Sequence, residues 1–136
     1  MRRAFDEPRE HEHPDTALVR AFARACEMED VGGFAVILRH DVTVVVDGGG
    51  VAVTAEPVQG AGVAVGLLLR VLWTIPDSIW AVQSVNGSPG VVARRERKVI
   101  AVVGLDARRA RISAVWLILN PQKLEHWNRT ATDRDR

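Results

Sequence analysis

Between residues 16 and 29 the apolar positions Leu18, Phe22, Ala25 and Cys26 recur every three or four residues, while Arg20, Arg24 and Glu27 fill the other side. That spacing predicts an amphipathic helix capped by Asp15 or Thr16. A second, shorter helix is predicted over 31–39; it begins after Asp30, buries Phe34, Ile37 and Leu38, and ends at His40-Asp41. The β-branched run 42–46 reads as a strand, Asp47-Gly48-Gly49-Gly50 as a tight connection, and 51–55 as a second strand or extended segment. Glu56-Pro57-Val58-Gln59 breaks it. Residues 60–74 are helical in pattern and apolar almost all round, so this helix has to be covered on most sides or line a cavity or an interface.

From Ser78 onward the pattern changes to strands and turns. Strands are predicted at 79–85, 90–95, 99–106 and 112–120, and Asn86-Gly87 is a strong hairpin signal between the first two. The stretch 112–120 holds only two polar residues, Ser113 and Asn120, so it is expected to be covered on both faces and central in the sheet. Asn120-Pro121 then opens a short helix over 121–127, with Pro121 at its first position. Helices ahead of an antiparallel meander make an α+β domain. The expected architecture is a curved antiparallel sheet wrapped around the N-terminal helices, a cone with an apolar interior. The expected division is a flexible leader at 1–14, one domain at 15–128 and a polar tail at 129–136.

Composition narrows the function classes. A chain of 136 residues with 26% charged residues and a formal net charge of +1 is an ordinary globular domain with too weak a field to hold nucleic acid. The basic run Arg94-Arg95-Glu96-Arg97-Lys98 sits in a hairpin turn, where solubility is the plain reading. The one cysteine, Cys26, excludes an internal disulfide, fits a reducing cytosol, and reads as a small core thiol. The first fourteen residues have no apolar core for a signal peptide, and the apolar run 60–73 is too short for a bilayer and carries Arg70, so a cytoplasmic protein without membrane contact is expected. His11 and His13 lack helical spacing and a third ligand, so no metal and no cofactor is expected.

Three segments resemble one family. Val46-Asp47-Gly48-Gly49-Gly50, Val85-Asn86-Gly87-Ser88-Pro89-Gly90 and Asn120-Pro121-Gln122-Lys123-Leu124 are similar to its Asp-Gly-Gly-Gly, Val-Asn-Gly-x-Pro-Gly and Asn-Pro-Asp-Lys-Leu signatures. The family is the SnoaL-like domain, of ketosteroid-isomerase-like cone fold, at the C-terminus of SigJ-type extracytoplasmic-function sigma factors. The resemblance runs from about Thr16 to Trp127. It implies a non-catalytic regulatory domain that modulates transcription initiation by packing on the promoter-binding sigma domains, in cis or in trans. It also implies Asp47, Gly48, Gly49, Gly50, Asn86, Gly87, Pro89, Gly90, Asn120, Pro121, Lys123 and Leu124 as interaction positions. The chain departs from the pattern at Val51, where the family carries lysine, and at Gln122, where it carries aspartate.

Related cones are isomerases and cyclases that place an Asp or His in the pocket, so a small-molecule-binding or isomerase-like enzyme is the second reading. Asp41 and Asp47 are the acids next to apolar strands, and His40 and His126 the histidines near element ends. The chain has no tyrosine, so a Tyr-plus-Asp oxyanion hole cannot be built. Asp47 is expected to accept hydrogen bonds from the glycine amides beside it. The four tryptophans, one per core element, read as packing; the alternative is that Trp80 and Trp116 face the cone with Phe34 and Leu68 and Trp127 closes it around a small apolar ligand. A homodimer through the outer sheet face is a further expectation.

Overall fold

The computed structural model describes residues 12–48 and 56–134. Along them run α1 (Thr16–Met28), α2 (Val31–Ile37), β1 (Leu38–Asp47), β2 (Val58–Gln59), α3 (Ala61–Thr74), β3 (Ile79–Val85), β4 (Ser88–Arg95), β5 (Lys98–Arg108), β6 (Arg111–Ile118) and α4 (Pro121–Arg134). The starts of α1 and α2 are capped by side chains: Asp15 accepts from the Leu18 amide at 2.8 Å and Asp30 from the Gly33 amide at 3.0 Å.

The strands form one sheet in the order β2-β1-β6-β5-β4-β3. The meander β3-β4-β5-β6 is antiparallel throughout, and β6 is central, as its apolar run predicts. One pairing corrects the expected all-antiparallel sheet: β1 runs parallel to β6, with Val45 opposite Trp116 and Asp47 opposite Ile118. The sheet is therefore mixed. Register shifts at Ala93/Arg94 and Asp106/Ala107 mark irregularities in the β4–β5 and β5–β6 ladders.

Several predicted boundaries move. The second helix ends at Ile37, and β1 begins at Leu38 rather than after His40-Asp41. Arg39 and Asp41 explain why: the Arg39 Nε donates to Asp41 Oδ1 at 2.9 Å, a contact between residues two apart that shares one face in a strand but not in a helix. The segment expected to break the strand instead supplies β2, whose Gln59 and Val58 pair with Thr43 and Val44. The last helix continues to Arg134, well beyond Trp127. Within the expected leader, Glu12 exchanges two 2.8 Å main-chain bonds with Ala107 of β5. The strand predicted over 51–55 lies outside the described residues, as do Gly49, Gly50 and Val51.

Two apolar clusters hold the layers together. The larger fills the concave side, where Val19, Phe22 and Cys26 of α1, Phe34 of α2, and Leu67, Leu68 and Val71 of α3 meet Val44, Val103, Val115 and Leu117 of the sheet. Phe22 and Phe34 make an edge-to-face pair with centroids 5.6 Å apart. The smaller cluster lies on the convex side, where Leu124 and Trp127 of α4 cover Val85, Val92, Val99 and Val102. Among the described residues the buried set contains no polar or charged residue. Helix α3 buries Ala64, Leu67, Leu68, Val71 and Leu72, while Val63 and Trp73 of the same apolar helix are exposed.

Candidate functional site

The C-terminal ends of the parallel strands β1 and β6 bring two of the three family-like segments together. Asp47 is the last residue of β1, and its carbonyl accepts from the Leu119 amide at 2.8 Å, which carries the chain from β6 directly past it. Asn120 then caps α4: its side-chain oxygen accepts from the Gln122 amide at 3.1 Å, and its carbonyl takes the Lys123 and Leu124 amides. The remaining Asn120 amide group reaches Asp47 Oδ1 at 3.5 Å, and Lys123 Nζ pairs with Asp47 Oδ2. Asp47 is thus held by the side chains of Asn120 and Lys123. Both members of the ion pair stay in contact with water, the Lys123 side chain being 60% exposed and that of Asp47 31%.

Each neighbour of this junction has a separate mechanical role. Pro121 occupies the first turn of α4, where its missing N–H costs nothing. Leu124 is buried in the convex cluster and anchors the helix, which sets the position of Lys123 one residue before it. Gln122 is exposed. Gly48 is half-buried beyond the end of β1.

The third segment lies elsewhere. Register carries Asp47 through Ile118, Val102 and Val92 to Ala81, and continuing toward Asn120 leads to Ile79, away from the Asn86-Gly87 turn. That turn closes the β3–β4 hairpin at the opposite end of the sheet. Asn86 and Gly87 take φ of 52° and 82°, the left-handed pair that a two-residue hairpin demands. Pro89 sits half-buried in β4 opposite Ser84, and Gly90 is buried. A Cβ on Gly90 would come within 2.6 Å of both the Val103 carbonyl oxygen and Val85 Cγ2, so this glycine exists for close packing.

Comparison with models of protein families and with curated proteins finds no match. Solved structures do match. SigJ, an extracytoplasmic function sigma factor of Mycobacterium tuberculosis, superposes with a TM-score of 0.58 at 20% identity, over 82% of this chain and 45% of that one. IdmH of Streptomyces antibioticus, named as a candidate polyketide cyclase, gives a TM-score of 0.60 at 15% identity, over 82% of this chain and 95% of that one. A candidate ketosteroid isomerase from Kribbella flavida gives 0.50 at 20% identity, over 75% and 74%.

The chain has the SnoaL-like, ketosteroid-isomerase-like cone fold. Within that fold the five residues expected to share a hollow are separated. Phe34 and Leu68 are packed solid in the concave core, and Trp80 joins them from β3. Trp116 does not: it lies between Val115 and Leu117, which face the core, so strand alternation turns it to the convex side, where it is 41% exposed. Trp127 likewise covers the convex cluster rather than closing the cone.

Among the described residues the acids and histidines are outside the buried core. Asp41 is held below the ordinary carboxylate range, first by the hydrogen bond from Arg39 and then by the Arg39 charge, on a side chain that is 41% exposed. His40 and His126 are exposed. Two arginines of the basic turn tie it to neighbouring segments: Arg94 donates to Gln83 Oε1 of β3 at 2.9 Å and Arg95 to the Pro76 carbonyl ahead of β3 at 3.1 Å. Sequence reasoning missed an open groove of about 470 Å³ lined by Arg20, Arg24, Glu27 and Met28 of α1 and Trp80 and Val82 of β3. The four-residue spacing of the two arginines was visible, but nothing local places an edge strand beside them.

Proposed function

We propose that this chain is a non-catalytic regulatory and interaction domain that docks on the promoter-binding domains of an extracytoplasmic-function sigma factor, in cis or in trans, in the cytoplasm. The observation that carries the reading is the junction at Asp47: residues 76 positions apart in the sequence meet in a water-accessible ion pair at a strand end. An exposed pair of this kind contributes only about 0–1 kcal/mol to folding, so its value to the chain lies in what it presents. The likeness to SigJ in fold supports the same partner class. Gln122 in place of an acid leaves Asp47 as the carboxylate of the junction among residues 118–124 and Asp47 itself.

The likeness to a candidate cyclase and a candidate isomerase favours a second reading, an enzyme acting on a small apolar molecule inside the cone. Acid–base chemistry of that type needs a titratable group facing a sheltered cavity. The concave cluster is made of apolar side chains among the described residues, which supports docking over catalysis. Trp116, lying over Gly104 on the uncovered part of the convex face, supports a homodimer through that face.

The test is co-purification of the full chain with separately produced promoter-binding domains of sigma factors from the same cell. Retention of one such domain is expected. Failure to retain any of them, with the chain folded, would reject the docking reading.

A further inference from the structure

Among the described residues β3 is an outer edge of the sheet, and it offers a second surface, independent of the Asp47 junction and at the other side of the sheet. Trp80 pairs with Ala93 of β4, yet its amide donates to Glu27 Oε2 of α1 at 3.0 Å. The Trp80–Ala93 pair therefore exchanges no main-chain bonds, and the Trp80 peptide groups point away from β4. Antiparallel ladders alternate, so Val82 and Ser84, opposite Val91 and Pro89, also direct their N–H and C=O groups outward. Pro89 agrees with this phase, because a proline fits the pair that requires no N–H. The result, among the described residues, is a line of main-chain groups without a strand partner along an edge whose Ile79 and Ala81 side chains are also exposed.

Helix α1 overhangs this edge and makes it a groove. Arg20 and Arg24 stand one turn apart on its wall, both exposed, and among the described residues neither guanidinium has a hydrogen-bond or ion-pair partner. Met28 of α1 and Val82 of β3 supply apolar surface beside them, with the rim of the largely buried Trp80 at the groove floor. The edge already takes one carboxylate oxygen in cis, that of Glu27, at its Trp80 amide.

We propose that the β3 edge binds an extended acidic peptide segment of another protein as an added strand. Main-chain bonds form at Val82 and Ser84. Alternate side chains of the incoming strand then face α1, where a Glu or Asp meets Arg20 and Arg24 and an apolar neighbour settles on Trp80 and Met28. A compact ligand would use one outward amide; a strand uses the repeat of about 6.8 Å that two residues span. Pairing of two β3 edges across a two-fold axis would instead bring two Arg20–Arg24 pairs to one seam, which like charges oppose.

The experiment titrates the full, ¹⁵N-labelled chain with a blocked heptapeptide alternating Glu and Val, and with its counterpart alternating Lys and Val. The expected result is slowed exchange and shifted resonances at the Val82 and Ser84 amides. The Glu peptide should bind at least about tenfold more tightly than the Lys peptide. That preference should vanish in Arg20→Glu/Arg24→Glu, a change at two exposed positions. Ser84→Pro, which removes one outward N–H and leaves the β3–β4 ladder intact, should weaken binding while the spectrum stays dispersed. Equal binding of the two peptides, or shifts mapping away from β3, overturns the proposal. Concentration-dependent protection of Val82 without peptide, with a dimer in sedimentation, also overturns it in favour of a second copy of the chain.

Discussion

Gly90 shows how a residue can belong to a recognition-like motif and yet serve packing. The atoms that a Cβ would meet, the Val103 carbonyl oxygen and the branched Val85 side chain at 2.6 Å, belong to backbone and a β-branched residue, neither of which yields readily. Gly90→Ala is therefore expected to lower stability by about 1–3 kcal/mol, read as a shift of the denaturant midpoint; an unchanged midpoint would contradict it. Cys26 is the complementary case, legible from sequence as a core thiol. Burial first, and the Glu27 charge second, push its thiol well above the ordinary range. A raised folded-state value means that its contribution to stability is complete below the unfolded thiol's pKa of about 8.5 and declines as pH rises beyond it. The native chain should react with a thiol reagent only at its unfolding rate; rapid labelling of the folded protein would refute the burial.

At the level of elements, turns were readable and edges were not. The left-handed pairs at Asn86-Gly87, Glu96-Arg97 and Arg109-Ala110 all close two-residue hairpins, though only the first carries a turn-specific sequence. Strand spacing located the other two. By contrast β2 is two residues long and is defined by its partners Thr43 and Val44, so no local pattern announces it. Helix α4 was announced locally by Asn120-Pro121, but its placement depends on Leu124 finding a cluster assembled from β3, β4 and β5. Leu124→Ala is expected to cost about 2 kcal/mol or more and to speed amide exchange in α4 selectively, because that side chain anchors the helix to the sheet. Uniform acceleration across the sheet would show instead that α4 is integral to the main core.

For the whole molecule, the order of helices and strands was sufficient to anticipate the cone, since an antiparallel meander leaves few ways to cover its apolar face. The content of the cone was harder to foresee. The run Val115-Trp116-Leu117 is apolar on both faces, so hydrophobicity alone could not say that Trp116 turns outward while its neighbours fill the interior. The parallel β1–β6 pairing was equally hidden, and it is this pairing that sets Asp47 beside Asn120 and Lys123. The most direct measurement of the docking proposal is a paired titration and thermal melt of the chain and its Asp47→Ala and Lys123→Ala variants against the sigma promoter-binding domain that co-purifies with it. Loss of an exposed ion pair should leave the melting temperature within a few degrees, while binding weakens by about tenfold or more. Binding that is unchanged in both variants would contradict a docking role for this junction.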